Sequence, residues 1–468
     1  MEIKLPETIA DCHSLIKHLL LIIEKQQAEI DLLKAEVSQL QARLNQNSQN
    51  SHRPPSSNGF NQPKPALKRK KKRHKGGQAG HRGKTLKRVA VPDVVVDCEP
   101  LDCQCGKPQW SQRSEIMDSR QVFEMPEPRL EVIEFRRIKR KCGCGREVCG
   151  EFPSEVVAPV QYGQRVQAMV ALLSVHGCLS FGKIGQLFAD LYGYELNTAT
   201  AQTMVNRTAQ VMPMEAIKEA VGEANVVNFD ETGLKENGKL KWLHTASTAD
   251  LTYQFVHPKR GREAMRSEPS ILGEFVGIGV HDCWESYFSF RQMRHAICNA
   301  HILRELTGII ENNASKWGVQ MKELLLEMYQ ASDYGKGIIK EISEFEVRYD
   351  KILAQAEVEE PPPEKVHEKG KLKRTKGRNL LERLKKHKAA VLLFAVEKEV
   401  PFTNNQAERD IRPAKVKQKM SGGFRAESGS ESYSRIHSFI STLRKQSRQV
   451  FQELLSVIKG NPFEVFQT

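Results

Sequence analysis

Long apolar runs are missing from this chain. No stretch approaches the roughly 18 uncharged apolar residues of a membrane span, and the longest candidate, residues 19–23, is far too short. A small-residue cleavage site is missing as well: the N-terminus opens on Glu2, so no secretory signal is expected. Acidic residues are absent between Val37 and Pro92. Ten cysteines in 468 residues argue for metal ligands or buried thiols and against a disulfide scaffold. These gaps set aside integral membrane and secreted, disulfide-rich proteins. Hydrophobic residues make up 39%, enough for real cores, so a wholly disordered chain is excluded too. The length suggests about three domains. The net charge of +14 and a pI near 9.2 point to a polyanionic partner, most simply nucleic acid. A cytoplasmic, multidomain protein that touches DNA or RNA is the expectation.

Ile16, Ile23, Ile30, Val37 and Leu44 recur every seven residues, with Leu19, Leu33 and Leu40 three residues after members of that series and Gln26 in the remaining slot. This is an a/d seam with charged residues such as Glu24, Lys25, Glu29 and Asp31 off it. β-branched a positions with leucine at d favour a parallel two-stranded coil; an amphipathic helix packed on its own chain is the plainer alternative. From Asn45 to Pro65 the composition falls to Asn, Gln, Ser and Pro, which cannot fold alone. Lys68, Arg69, Lys70, Lys71, Lys72, Arg73 and Lys75 then form a cationic run followed by Gly76-Gly-Gln-Ala-Gly-His81. Like charges keep such a run extended, and its glycines let the backbone approach a phosphodiester. It predicts an arm on the DNA backbone that carries affinity without sequence information.

Cys103-Gln-Cys105 and Cys142-Gly-Cys144 are two knuckles, each followed by a turn glycine, and together supply the four thiolates of a tetrahedral structural zinc. Alternating segments at 121–125 and 130–138 read as a small antiparallel sheet between them, giving a zinc-ribbon-like unit. Cys98 and Cys149 flank the knuckles, and one of them can replace an inner ligand. Helical spacing at 165–175 and 181–191, a Tyr192-Gly-Tyr194 break, and an Asn197 or Thr198 cap for a helix running through Val211 trace the outline of a helix-turn-helix, which many helical hairpins share.

Two apolar runs end in acids: Val226-Val-Asn-Phe-Asp230, and Phe275-Val-Gly-Ile-Gly-Val-His281-Asp282. Between them lie strand-like runs at 240–247 and 252–257 and a helical stretch at 263–272. Asn404 or Thr403 can cap a helix that places Glu408 in its first turns. If the two strands are neighbours, three carboxylates converge on a pair of Mg²⁺ or Mn²⁺ ions, hard cations that suit oxygen ligands. An Asp at a strand end also serves as a turn former, and Glu408 also fits a surface helix.

The order of heptads, Gly76-Gly-Gln-Ala-Gly-His81, paired cysteines, Asp230-Glu-Thr-Gly, His281-Asp282, Cys298-Asn-Ala-His301-Ile-Leu-Arg-Glu and Thr403-Asn-Asn-Gln-Ala-Glu-Arg-Asp-Ile-Arg-Pro413 closely resembles a bacterial DDE transposase of the insertion sequence sixty-six family. The resemblance covers nearly the whole chain. It implies a ribonuclease-H-like core in which Asp230, Asp282 and Glu408 match the catalytic triad, with a mostly helical insertion at about 294–400. The chain departs from the family at Cys103-x-Cys105, where the spacing is usually longer by one. It departs again at Cys283 and Trp284, where a glycine and an aromatic usually follow the second acid.

The expected fold is thus a multidomain α+β chain. Its parts are a coiled-coil dimerisation helix at 1–46, a disordered basic linker at 47–92, a zinc-ribbon-like domain at 93–158 and a helical DNA-binding domain at 159–222. The ribonuclease-H-like α/β core follows at 223–293 and 401–468, interrupted by a helical insertion at 294–400. The expected activity is metal-dependent cleavage of element ends followed by joining to target DNA. Expected partners are double-stranded DNA and further copies of the chain, with room for accessory proteins. Arg409, Arg412, Lys415, Lys417 and Lys419 place a basic face beside Glu408 for DNA phosphates, and a plain charged helix is the alternative. Cys298 and His301, at i and i+3 of a helix, fit a metal or DNA contact as well as ordinary helix packing. The rival functions are a DNA-binding regulator with an inert core and a structure-specific nuclease.

Overall fold

The computed structural model describes residues 8–51, 86–99, 104, 107, 109–110, 116–335, 337–363, 374–426 and 428–466. The cationic run at 68–75, Cys103 and Cys105 lie outside the described residues. The chain divides into two compact units, one of residues 1–59, 152–189 and 195–468, the other of 60–151 and 190–194.

The first unit opens with α1 (Ile9–Leu44), a single helix whose heptad side chains, Ile16, Ile23, Ile30 and Leu33 among them, are about half exposed. The polar segment after it is not featureless. Asn47 donates its N–H to the Asn50 Oδ1 (2.8 Å), and the Asn50 side chain donates to Asn45 O (3.0 Å) and to Glu311 Oε2 (2.7 Å), so a turn of asparagines docks where composition predicted linker.

In the second unit, β1 (Lys139–Lys141) and β2 (Glu147–Cys149) pair antiparallel, with Lys139 opposite Cys149. This displaces the expected sheet. The segments at 121–125 and 130–138 are extended but join no ladder. Their alternating apolar side chains, including Val122, Met125, Val132 and Ile133, are exposed, so no second layer rewards the alternation. Gln121 ties one segment down by accepting from the Val89 N–H and donating to Val89 O, both at 2.9 Å.

The helical segment falls close to expectation: α2 (Gln164–Val175), α3 (Phe181–Tyr192), α4 (Thr198–Gln210), capped by the Asn197 side chain on the Ala199 N–H, and α5 (Met214–Gly222). β3 (Val226–Glu236) turns at Asn237-Gly238, both at positive φ (47° and 75°), into β4 (Lys239–Ser247). Asn-Gly is the residue pair a tight hairpin turn requires. β5 (Thr252–His257) follows, then α6 (Arg262–Met265), a single turn where a helix to 272 was expected. Pro269 lacks a backbone donor, and Ser267 and Ser270 hydrogen-bond local backbone instead, so the helix stops.

β6 (Ile278–His281) runs parallel to β3, and β7 (Arg294–Ile297) parallel to β6, completing a five-stranded mixed sheet in the order β5-β4-β3-β6-β7. Residues 294–297 therefore belong to the sheet, and the helical insertion begins after them. It comprises α7 (Asn299–Asn313), α8 (Lys316–Ala331), α9 (Ile342–Glu359), α10 (Lys376–Lys386) and α11 (Lys388–Val396). Trp317, Met321, Leu325, Tyr349 and Phe394 are buried there in one cluster with Val280, Ala296 and Ile297 of the sheet. Each fully buried apolar side chain of this kind contributes about 1.5–3 kcal/mol, so the insertion is anchored by its own apolar core. α12 (Asn405–Ser421) then packs on β3 and β4, α13 (Gly429–Lys445) on β5, and α14 (Val450–Ile458) on α2. No helix of the described residues is long and apolar enough to cross a membrane.

Candidate active site

The parallel register Val226↔Ile278, Asn228↔Val280 continues to set Asp230 level with Asp282, one residue past the end of β6. Two adjacent parallel strands thus bring both acids to one level of the sheet, Asp230 midway along β3, which runs on to Glu236 instead of ending at the acid as expected, and Asp282 just past β6. Asp282 Oδ1 accepts the Trp284 N–H (3.0 Å), a local turn that ends the strand. α12 is brought to the same place by Asn404. Its side chain does not cap the helix; it donates across to Phe229 O (2.7 Å), next to Asp230, while its N–H donates to Cys298 Sγ (3.1 Å). Glu408, in the first turn, is carried along.

The electrostatics report the convergence. Burial pushes the Asp230 carboxyl well above the usual carboxylate range, and the charges of Glu231, Asp282 and Glu408 push it further, against one hydrogen bond from the Glu231 N–H. Glu408 Oε1 is buried without a hydrogen-bond partner; the Arg304 guanidinium Nη2 lies 3.6 Å away and the His301 ring Nδ1 3.9 Å away. Neighbouring carboxylates, of which Asp230 and Glu231 are withdrawn from water and Glu408 has an orphaned oxygen, are donors that hard divalent cations fit. The family model of the transposase IS66 family matches residues 159–432, which hold all three acids.

The chain belongs to the IS66 transposase family. Its N-terminal residues 4–87 match a second model, a family of unknown function, DUF6444. No curated protein matches the chain.

Beside the three acids stands a fourth that motif reading passed over. Glu231 Oε1 accepts from Arg260 Nε (2.9 Å) and Nη2 (2.7 Å), and Oε2 accepts the Tyr287 hydroxyl (2.5 Å). With both oxygens engaged it serves to fix its partners. Burial and Asp282 raise its carboxyl, while Tyr287 and Arg260 oppose them. The Arg260 guanidinium lies over the Trp242 and Trp284 rings, 5.1 and 4.2 Å from their centroids. In the sequence Glu231 directly follows Asp230 in Asp230-Glu-Thr-Gly, and that adjacency is its one signal there. Arg260 lies in no motif. His281 is buried, stacked on Tyr287 (4.4 Å) and bonded to His295, and burial takes its imidazole down to about 3, so it is neutral.

The basic face of this IS66-family helix splits in two. Arg409 and Arg412 are exposed. Lys415 and Lys417, expected on phosphates, are turned inward: Lys415 donates to Gly233 O, and the buried Lys417 to Leu179 O (2.7 Å) and Ser174 Oγ (3.3 Å). Burial lowers the Lys417 ammonium to about 8. The helix winds these positions against β3 and the loop after α2, where carbonyls take the place of phosphates.

Cys142 and Cys144 sit in the β1–β2 turn, exposed, with the Cys142 N–H bonded to Arg146 O (2.7 Å). Hydrogen bonds from the Cys144 backbone and side chain lower the Cys142 thiol. Cys98 and Cys149 are also exposed free thiols.

Proposed function

We propose that the chain is a DDE transposase that cleaves element ends and joins them to target DNA, on a ribonuclease-H-like core. The observation that carries this reading is Asp230, half-buried beside β6 and α12, whose carboxyl is driven upward by desolvation and by the charges of Glu231, Asp282 and Glu408 together. Asp230, Asp282 and Glu408 would hold Mg²⁺ or Mn²⁺, which supplies activation of the attacking oxygen and stabilisation of the departing one. The chain's own groups do the rest. Asn404 fixes the helix that carries Glu408 to the strand that carries Asp230. Glu231 and Tyr287 hold Arg260 beside the carboxylates, offering a guanidinium to a phosphate. Arg409 and Arg412, exposed on the helix that carries Glu408, offer further positive charge to DNA. Strand β3 meets an antiparallel β4 on one side and a parallel β6 on the other, which supports the ribonuclease-H-like reading.

The remaining parts fit the same role. The α1 seam would pair with a second copy, the arm at 68–75 would take DNA phosphates, and Cys142 and Cys144, with Cys103 and Cys105, would hold a structural Zn²⁺. The test uses end-labelled element DNA with Mg²⁺. Wild type cuts and joins; Asp230→Asn and Glu408→Gln bind DNA but do neither. Cutting without joining by wild type would indicate a nuclease, and joining by Asp230→Asn would overturn the assignment.

A further inference from the structure

Glu408 belongs to a second set of donors as well. Cys298 immediately precedes α7, His301 lies one turn along it on the same side, and Glu408 faces them from α12; the sulfur, a ring nitrogen and a carboxylate oxygen all lie within 4.8 Å of one another. The Cys298 side chain is fully buried, and Glu408 Oε1 is shut off from solvent without a hydrogen-bond partner. Thiolate, imidazole and carboxylate are together a poor set for Mg²⁺, which prefers oxygen alone, and a good one for zinc. Bond lengths of about 2.0–2.3 Å put tetrahedral ligand atoms roughly 3.3–3.8 Å apart, so the three need close by only about an ångström.

We infer that Cys298, His301 and Glu408 form a binding site for Zn²⁺, three protein ligands with a fourth position open, at the neck where the helical insertion leaves and rejoins the sheet. Binding releases the Cys298 thiol proton to solvent, and the Asn404 N–H, already on the sulfur, steadies the thiolate. Arg304, 3.6 Å from the Glu408 oxygen, gives way to the stronger cation. Held by zinc, Glu408 is drawn from Asp230 and Asp282, so Zn²⁺ suppresses the Mg²⁺-supported reaction. That last consequence rests on the role proposed above for Glu408; the metal site does not.

The test is a Co²⁺ titration of the metal-stripped full-length protein, counting bound ions and following the thiolate-to-cobalt charge-transfer absorption. Cys298→Ser and His301→Gln are each expected to lose the same single equivalent, or to weaken it at least tenfold. Cys142→Ser should remove a different one, and combining it with His301→Gln should remove both. Cys298 is buried, so His301→Gln, at a partly exposed position, carries the test if the serine variant misfolds. Full binding by a folded His301→Gln overturns the site. A His301-dependent site whose occupation by Zn²⁺ leaves strand cleavage untouched upholds the site and counts against the role of Glu408.

Discussion

Around the middle of β3, Asp230, Glu231, Asp282 and Glu408 are held near enough to repel one another; in the β1–β2 hairpin, Cys142 and Cys144 stand in the open on a turn. The difference lies in what holds the donors. The carboxylates ride on strands and a helix whose apolar cores contribute about 1.5–3 kcal/mol per buried side chain, many times over, which outweighs the cost of crowding like charge. The hairpin has three-residue strands with every side chain exposed, so no packing of its own fixes the cysteines. One set of donors is shaped by the surrounding fold, the other is not.

The strongest way to break this contrast is to remove a carboxylate. Asp230→Asn, Asp282→Asn or Glu408→Gln should lower strand cleavage on the order of 10³-fold or more while the Kd for element DNA stays within about threefold. A parallel loss of DNA binding would mean that the acids shape the fold and not the chemistry. Next in size, Cys142→Ser or a zinc chelator should open residues 86–151 to limited proteolysis yet move the Tm of the sheet-bearing unit by less than about 2 °C.

The exposed arginines sharpen the contrast, because they act through charge and need no scaffold. Arg409→Gln with Arg412→Gln should weaken DNA binding about tenfold at physiological salt and reduce the log–log salt slope by about two. Lys417→Met should leave both unchanged, since that lysine faces Leu179 O. The smallest effect concerns stability without metal. The raised Asp230 carboxyl disfavours the charged form in the folded state. Stability is therefore fullest below the ordinary carboxylate pKa and falls as pH rises through the raised one. Metal-free wild type should then melt lower at pH 7 than at pH 5.5, Asp230→Asn should raise the neutral-pH Tm by roughly 2–4 °C, and Mg²⁺ should stabilise only the wild type.

What was legible in the sequence follows the same division. The strand ending just before Asp282 and the helix start at Asn404 are short-range signals and fall where expected, whereas the strand expected to end at Asp230 runs on to Glu236, because β4 pairs with it all the way to the Asn237-Gly238 turn. Facing is harder. Lys415 and Lys417 read as surface cations, but helical phase turns them onto the carbonyls of Gly233 and Leu179. Asn404 reads as a cap, yet its amide serves Phe229 O on a strand 175 positions away in the chain. Arg260 joins Glu231 and two tryptophans from a loop with no pattern of its own. The alternation at 121–138 signals a sheet, but alternation has force only where a core receives one face.

The helical insertion leaves the sheet at Cys298 and comes back at Asn404, and the two points are tied by Asn404 N–H to Cys298 Sγ and by Asn299 N–H to Phe402 O (3.0 Å). A branch stapled at its base holds its first helix in place, and α7 sets Arg304 and His301 against Glu408. The outer helices beyond α7 can then vary in length while the stem keeps that acid in register, which makes those helices, and not the stem, the place for grafting other domains.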